Sequence, residues 1–419
     1  MRLITEYRPI FLTWLVWVFL MLILVPYLGA RFTLVAPDRT LAWTAAATMP
    51  ESQTRHTYLT GAFLNGHVAW DSEYYLSIAV AGYDDPAMRA IPPDFNWKNQ
   101  VIRTLAEKPS WTSMNYAFFP GYPMLIRIFM TPFLLLGMEE LAAATSAGVL
   151  VSLGGTLAAM LALYRLGRDM LDRDAGIRAS FYLLIAPASM FMAMVYTEGL
   201  FLALSFSALM FARERRFVPA GILAFLATFT KAGGVLLLLP LFLYWYGSDG
   251  RRAIFQMGKG RHLRDFAFML APALAYGIFT LTMSSQFHFI ESNYFNRNLL
   301  NIQGTLAAWK EAVGLMATNP QSLAYYTVEL ACLTAGIASL VWMFRHDKVL
   351  TLYSAAILLF SLTSGAAQGM HRYVLALPSF FLAPAALGQH KSFDRAWIML
   401  NLPFMIILLT TFVFNQWAG

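Results

Sequence analysis

The chain contains one cysteine, Cys332, set in an apolar run. A single cysteine excludes an intramolecular disulfide and a cysteine-ligated metal cluster, and Cys332 reads as a core residue. Charge is also scarce. Asp, Glu, Lys and Arg make up 13% of 419 residues, where a soluble domain carries about 25%. No Asn-x-Ser/Thr sequon occurs. Walker-type phosphate loops and the glycine pattern of a dinucleotide fold are missing. The seven histidines do not fall at zinc-site spacings. There is no low-complexity tract and no short-period repeat. These absences leave no signature of a bound cofactor or metal.

What is present is apolar. Hydrophobic residues make up 58% of the chain, and the mean hydropathy is +0.55. Apolar stretches of about 20 residues recur, which predicts an all-α, polytopic integral membrane protein. The first run, Ile10 to Ala30, follows Arg2 and Arg8 and has no small-residue cleavage site, so it reads as a retained anchor with a cytoplasmic N-terminus. Later spans are expected at 141–164, 179–197, 198–212, 266–284, 323–344, 373–389 and 396–416. Weaker ones fall at 217–230, 233–247 and 349–363. Segment 118–138 is long enough to cross but holds three prolines and Arg127; it reads as half-inserted or interfacial. The expected count is about 11, within one or two, with the C-terminus outside and residues 1–419 forming a single membrane domain. Residues 31–140 form a long first outer loop with short interfacial helices.

The net charge of +7 comes from clusters between apolar runs: Arg165/Arg168/Arg173/Arg178, Arg213/Arg215/Arg216, Arg251/Arg252/Lys259/Arg261/Arg264 and Arg345/Lys348. Such clusters mark cytoplasmic loops and lipid-headgroup contacts rather than a nucleic-acid surface. The acidic pattern "DRD", 172–174, lies in one of these loops and reads as solvated.

Ionisable groups near a membrane are expensive and point to function. Sorted by side, the outer face collects Asp71, Glu73, Glu198, Lys231, His371 and Arg372, from distant parts of the chain. Asp71 and Tyr75 stand at i and i+4 of an expected amphipathic helix lying at the interface. Asp71 has the character of a general base in a partly dry pocket, and it also stands where a helix N-cap would. Lys231 in "TFTKAGG" can reach a phosphate, with Gly233 and Gly234 allowing close backbone approach; snorkelling is the alternative. Arg372 in "GMHRYVL" can grip a phosphate with two donors, or simply anchor a span at the interface. Glu198 in "VYTEGLF" can take a sugar hydroxyl or pair with Lys231 or Arg372.

The blocks "WDSEYYLSIAVAGY", "NYAFFPGYPMLI", "APASMFMAMVYTEGLF", "LATFTKAGGVLL" and "HRYVLALPSFFL", in this order, resemble the PIG-V family of GT-C-fold membrane mannosyltransferases. The likeness runs from about residue 65 to 385. It implies a GT-C type helical bundle and a polyprenyl- or dolichyl-phosphate-linked mannose used on the non-cytoplasmic face. The expected base, an acid of the first outer loop, falls on Asp71, and Glu73, Phe118, Phe119 and Pro120 fall on matching positions. The chain departs from the pattern at Ala69 and Lys231, where the family often has Arg, and at His371, where it often has Pro.

The implied reaction is an inverting transfer of a mannosyl or other hexosyl unit to an acceptor hydroxyl. Asp71 is the base. Lys231, His371 and Arg372 hold the donor phosphate, and Glu73, Trp70, Tyr75 and Glu198 support or bind the acceptor. Trp70, Tyr75 and Tyr122 offer faces for sugar stacking. Expected partners are the lipid-linked donor, a glycan, glycolipid or glycoprotein acceptor, and membrane lipids. Two other classes fit the composition: a transporter or flippase of a lipid-linked sugar, and a non-catalytic subunit of a glycan-assembly complex. The one-sided ionisable set and the absence of a repeat favour the enzyme. The missing sequons point to a prokaryotic plasma membrane rather than the ER, where the site would be lumenal.

Overall fold

The computed structural model describes residues 2–31, 62–96, 98, 101–247, 260–413 and 417–419. Parts of the expected first outer loop, the end of the last span, and Arg251, Arg252 and Lys259 lie outside these residues. The chain folds mostly into helices whose apolar side chains share one buried cluster running from Ile10 to Ala418. Leucines on the outer surface stay open, Leu281 at 88% and Leu135 at 83% exposure. This is the surface of a multi-pass membrane protein, whose solvent is hydrocarbon.

Among the described residues four helices are long and apolar enough to cross a membrane: α1 (Arg2–Arg31, apolar over Glu6–Leu28), α5 (Glu140–Met170), α13 (Pro320–Phe344) and α17 (Lys391–Val413). Six cross if each of two bent pairs is one span. These lengths do not establish the expected count of about 11. The segment 118–138 becomes two short helices, α3 (Gly121–Phe129) and α4 (Thr131–Leu135).

Several expected spans are broken, and each break has a local cause. In 179–197, α6 (Arg173–Ile185) stops at extended Ala186, and a 3-10 segment, Pro187–Ala193, turns off at 80°. Pro187 forces that exit, because proline removes an N–H and disfavours helix at the residue before it. The span 373–389 divides at Pro378 into α15 (Met370–Val374) and α16 (Pro378–Leu387). Between them in sequence lie α7 (Glu198–Arg213), α8 (Phe217–Thr230), α9 (Leu238–Trp245), α10 (Gly260–Met269), α11 (Ala271–Asn293), α12 (Ile302–Thr318) and α14 (Lys348–Leu362). Much of the expected outer loop 285–322 is therefore helical. Irregular backbone at membrane depth survives only inside protein or beside a cavity. Every residue from Ala186 to Leu200 is buried.

The first outer region also departs from expectation. Its helix α2 (Asp71–Val80) buries Ser72, Tyr74, Tyr75, Leu76, Ile78 and Ala79, so it is packed inside the protein rather than laid on the interface. It is joined by a small antiparallel sheet, order β2-β1-β3, from β1 (Arg89–Ile91), β2 (Arg103–Thr104) and β3 (Thr112–Ser113). Asn115 Nδ2 donates to Ser77 Oγ at 2.8 Å and to the Gly82 carbonyl at 3.1 Å, locking this region to α2.

Candidate active site

Four helix ends and breaks deliver charge to one place. Asp71 opens α2, Glu198 opens α7, Lys231 ends α8, and Arg372 lies on the short α15. Each carboxylate sits in the first turn of a helix, where the macrodipole favours negative charge. Two glycines permit the close packing. A Cβ on Gly199 would strike α5, just as one on its neighbour Gly155 would meet the Gly199 carbonyl carbon at 2.6 Å. A Cβ on Gly234 would meet the Ala227 carbonyl carbon at 2.5 Å, so the chain folds back on α8 directly after Lys231.

The result is a chain of ion pairs. Arg372 Nη1 donates to Asp71 Oδ2 at 3.1 Å, and its Nε and Nη2 reach Glu198 Oε1 at 2.9 and 2.8 Å. Lys231 Nζ donates to the same Glu198 oxygen at 2.9 Å. The Glu198 side chain is only 2% exposed. A carboxylate so deeply buried needs such partners. Its second oxygen, Oε2, has no hydrogen-bond partner among the described residues. The Arg372 guanidinium also lies over the rings of Phe191 and Tyr196, at 4.8 and 4.9 Å from their centroids.

These groups border a cavity of about 150 Å³ lined by Asp71, Tyr75, Phe118, Phe119, Lys231 and Arg372, together with Glu291, Arg297, Tyr373 and Trp417. A smaller one of about 60 Å³ adjoins Glu198, Lys231, Arg372 and Tyr373, with Phe201, Ile357 and Phe360 as apolar wall. Asp71 and Tyr75 share the larger cavity, as their i, i+4 spacing predicts. Burial pushes the Tyr75 hydroxyl well above its usual range, and the Asp71 and Glu198 charges push it further. Tyr75 therefore enters any chemistry as a neutral hydroxyl.

The N-cap alternative for Asp71 is not what is found. Trp70 holds the cap position, and no side chain caps the helix. Trp70 has φ of 56°, a conformation that costs a non-glycine residue on the order of 1–3 kcal/mol. This turn is what aims Asp71 at Arg372.

Other expected residues stand elsewhere. Glu73 pairs with Arg89 at 3.0 Å and ties α2 to the small sheet instead of facing the cavity. Trp70 packs edge-on against Trp417, with ring centroids 5.1 Å apart. Tyr122 is fully buried, with its hydroxyl on the Gly148 carbonyl and Ser152, so its ring offers no sugar platform. His371 lines neither cavity. It is buried behind Arg372, with Nε2 2.8 Å from the Ala418 carbonyl and Nδ1 2.8 Å from Glu329. Neighbours on a helix point about 100° apart, so His371 and Arg372 cannot share one target. In "DRD", Asp172 caps α6, accepting from the Ala175 amide at 2.7 Å.

Sequence reasoning passed over Glu329, Glu291 and Arg297. Glu329 lies fully buried on α13 and accepts from Tyr325 Oη at 2.7 Å and from the amides of Gly369 and His371 at 2.5 and 2.8 Å. It fixes the turn that presents Arg372. The signal was available: a carboxylate inside the apolar run 323–344.

Comparison with known proteins agrees with the motif resemblance. The family model described as Mannosyltransferase (PIG-V) matches residues 95–243. The GPI alpha-1,6-mannosyltransferase 2 of Rattus norvegicus is 30% identical over 220 residues, covering 51% of this chain and 38% of the rat protein. The Mus musculus protein of that name is 29% identical over 221 residues, covering 52% and 39%. The match thus spans about two fifths of the length of these relatives. Among solved structures, the archaeal oligosaccharyltransferase AglB from Archaeoglobus fulgidus, in complex with an inhibitory peptide and a dolichol-phosphate, aligns with TM-score 0.45 and 14% identity over 96% of this chain and 56% of that one. ArnT from Cupriavidus metallidurans, bound to undecaprenyl phosphate, aligns with TM-score 0.43 and 14% identity over 90% and 72%. The family-model match runs from the small sheet to α9. It contains Glu198 and Lys231; Asp71, Arg297 and Arg372 lie outside the matched residues.

Proposed function

We propose that the protein is an inverting hexosyltransferase of GT-C type, taking a mannosyl or other hexosyl unit from a polyprenyl-phosphate sugar to an acceptor hydroxyl of a glycan, glycolipid or glycoprotein. The observation that carries this reading is the convergence of Asp71, Lys231 and Arg372 on one cavity, with Glu198 joining the two cations and bordering the smaller cavity beside it. The match to the PIG-V mannosyltransferase model supports the sugar class.

In the reaction, Asp71 takes the proton of the acceptor hydroxyl as its oxygen attacks the anomeric carbon. The bond from that carbon to the phosphate oxygen breaks, and the lipid phosphate leaves with the electron pair. The anomeric carbon passes through an oxocarbenium-like state, and one displacement inverts it. Lys231 and Arg372 stabilise the growing negative charge on the phosphate, an effect worth several kcal/mol in a dry site. Because Arg372 pairs with Asp71, a phosphate that draws Arg372 away also frees the base. Binding the donor and unmasking Asp71 are then one event.

The whole chain acts as a single membrane domain, with the site on the non-cytoplasmic side of a plasma membrane. α7 supports this sidedness. It runs 16 residues from Glu198 to Arg213, about 24 Å at 1.5 Å per residue. The basic clusters 213–216 and 345–348 lie at its far end, as the positive-inside rule requires.

The test is purified protein in nanodiscs with synthetic polyprenyl-phosphate-mannose and a panel of simple mannoside acceptors, read by mass spectrometry and by NMR of the new linkage. Release of polyprenyl phosphate with an inverted anomeric centre is expected. Movement of the lipid across vesicles without any new glycosidic bond would replace this reading by a transporter.

A further inference from the structure

Three cations line the larger cavity, and they are not equivalent. Lys231 and Arg372 are both engaged by Glu198, and Arg372 is also engaged by Asp71. Two positive charges thus meet two negative ones. Arg297 is different. Among the described residues it has no carboxylate oxygen within the 4.0 Å of an ion pair. Its Nη1 donates instead to the neutral Tyr373 hydroxyl at 3.1 Å. Glu291 shares the cavity wall and its charge acts on Arg297 through space, as that of Asp71 does, but the hydrogen bond between Glu291 and Arg297 is through the main chain, with the Arg297 amide donating to the Glu291 carbonyl at 2.8 Å.

Arg297 is also firmly placed. It lies between α11 and α12, in a connection tied to the segment that leads into α15. The Asn298 amide donates to the Ser364 carbonyl at 3.0 Å, and the Asn301 amide to Thr363 at 2.8 Å. The four non-glycine residues of positive φ among the described residues are Trp70, Arg215, Asn296 and Leu300. Trp70 directly precedes Asp71 and Asn296 directly precedes Arg297. The same backbone device, at two unrelated points of the chain, presents one acid and one base to one cavity. Strain of this kind gathers where a side chain must be aimed.

We propose that Arg297 is the primary anchor for the phosphate of the lipid-linked donor and for the lipid phosphate that leaves. This rests on the transferase reading above. Lys231 and Arg372 can accept a phosphate only by giving up carboxylate partners; Arg297 gives up one neutral hydroxyl. A guanidinium fork matches two phosphate oxygens. The donor is a diester with one negative charge, and the departing monoester approaches two near neutral pH. Arg297 therefore holds the product more tightly than the donor and favours cleavage of the bond between carbon and phosphate oxygen.

The test uses the full-length protein in detergent, wild type beside Arg297→Gln and Arg297→Lys, with thermal melting to verify folding. Binding of farnesyl phosphate, farnesol and inorganic phosphate is measured by calorimetry, and transfer is measured separately with polyprenyl-phosphate-mannose. Arg297→Gln should weaken farnesyl phosphate about 10- to 100-fold, the loss expected for a charge-assisted contact, and leave farnesol unchanged. Arg297→Lys should recover part of the loss. A wild type that transfers mannose while Arg297→Gln binds farnesyl phosphate undiminished would overturn this assignment and leave the transferase reading standing. A wild type that binds no farnesyl phosphate and transfers nothing would overturn both. Inorganic phosphate bound as tightly as farnesyl phosphate would make free phosphate the ligand, against the proposal.

Discussion

The two ends of α7 carry ion clusters of similar composition and different construction. At the Arg213 end, Asp347 accepts from Arg213 Nε at 3.3 Å and from Tyr244 Oη at 2.8 Å, and its other oxygen caps α14 through the amides of Val349 and Leu350. Both carboxylate oxygens are spent on joining helices. At the Glu198 end, one oxygen carries both cations and the other carries nothing among the described residues. Both cations border cavities there. A cluster built for the fold consumes its own valences, whereas one built for a ligand keeps some open. The contrast separates the two ends without any reference to relatives.

Substitutions at each end sharpen that contrast. Glu198→Ala should have the largest effect. It removes the carboxylate shared by Lys231 and Arg372, which costs about 3–5 kcal/mol for a broken buried pair. It also leaves Arg372 with Asp71 as its one carboxylate partner beside the Gly419 carbonyl, so transfer per folded molecule should fall about a hundredfold, the scale of a 1 Å misplacement. Thermal melting and donor turnover measure the two losses separately. Glu329→Gln should come next. The turn that presents Arg372 loses its charged acceptor, and turnover should drop about tenfold, with KM for the donor rising as Arg372 wanders. A loss of stability with unchanged kinetics would demote Glu329 to a purely structural role. Asp347→Ala should have the smallest effect on activity. Losing the cap and its bonds costs about 1–2 kcal/mol, and transfer per folded molecule should not change. A loss of turnover there equal to that of Glu198→Ala would erase the distinction between the ends.

Much of this arrangement was legible in the sequence, and its limits have physical causes. Apolar runs marked α1, α5, α13 and α17, because hydrocarbon demands helices of that length. The breaks at Pro187 and Pro378 were visible as residues but not as bends, since hydropathy averages over them. The small sheet was missed because strands of two or three residues show no period. Sorting charges by membrane side grouped Asp71, Glu198, Lys231 and Arg372, which lie together in the structure; a pairing of Glu198 with Lys231 or Arg372 was among the expectations, and Glu198 pairs with both. The same sorting could not tell that Arg372 faces the cavity while His371 faces Glu329, because side-chain direction depends on where α15 begins. Arg297 has no basic neighbour between Arg264 and Lys310. Only the docking of its loop beside α15 gives that isolation a meaning.

The central claim is that Asp71 is the base and Arg372 its keeper. The most direct measurement is single-turnover release of polyprenyl phosphate from polyprenyl-phosphate-mannose, wild type beside Asp71→Asn, with donor binding measured in the same samples. Release should be slower by about 10²- to 10⁴-fold, the range for a lost general base, with donor bound at least as tightly because Arg372 then has one carboxylate fewer to leave. Equal release from both proteins would contradict it and reduce Asp71 to a partner that merely holds Arg372 in place.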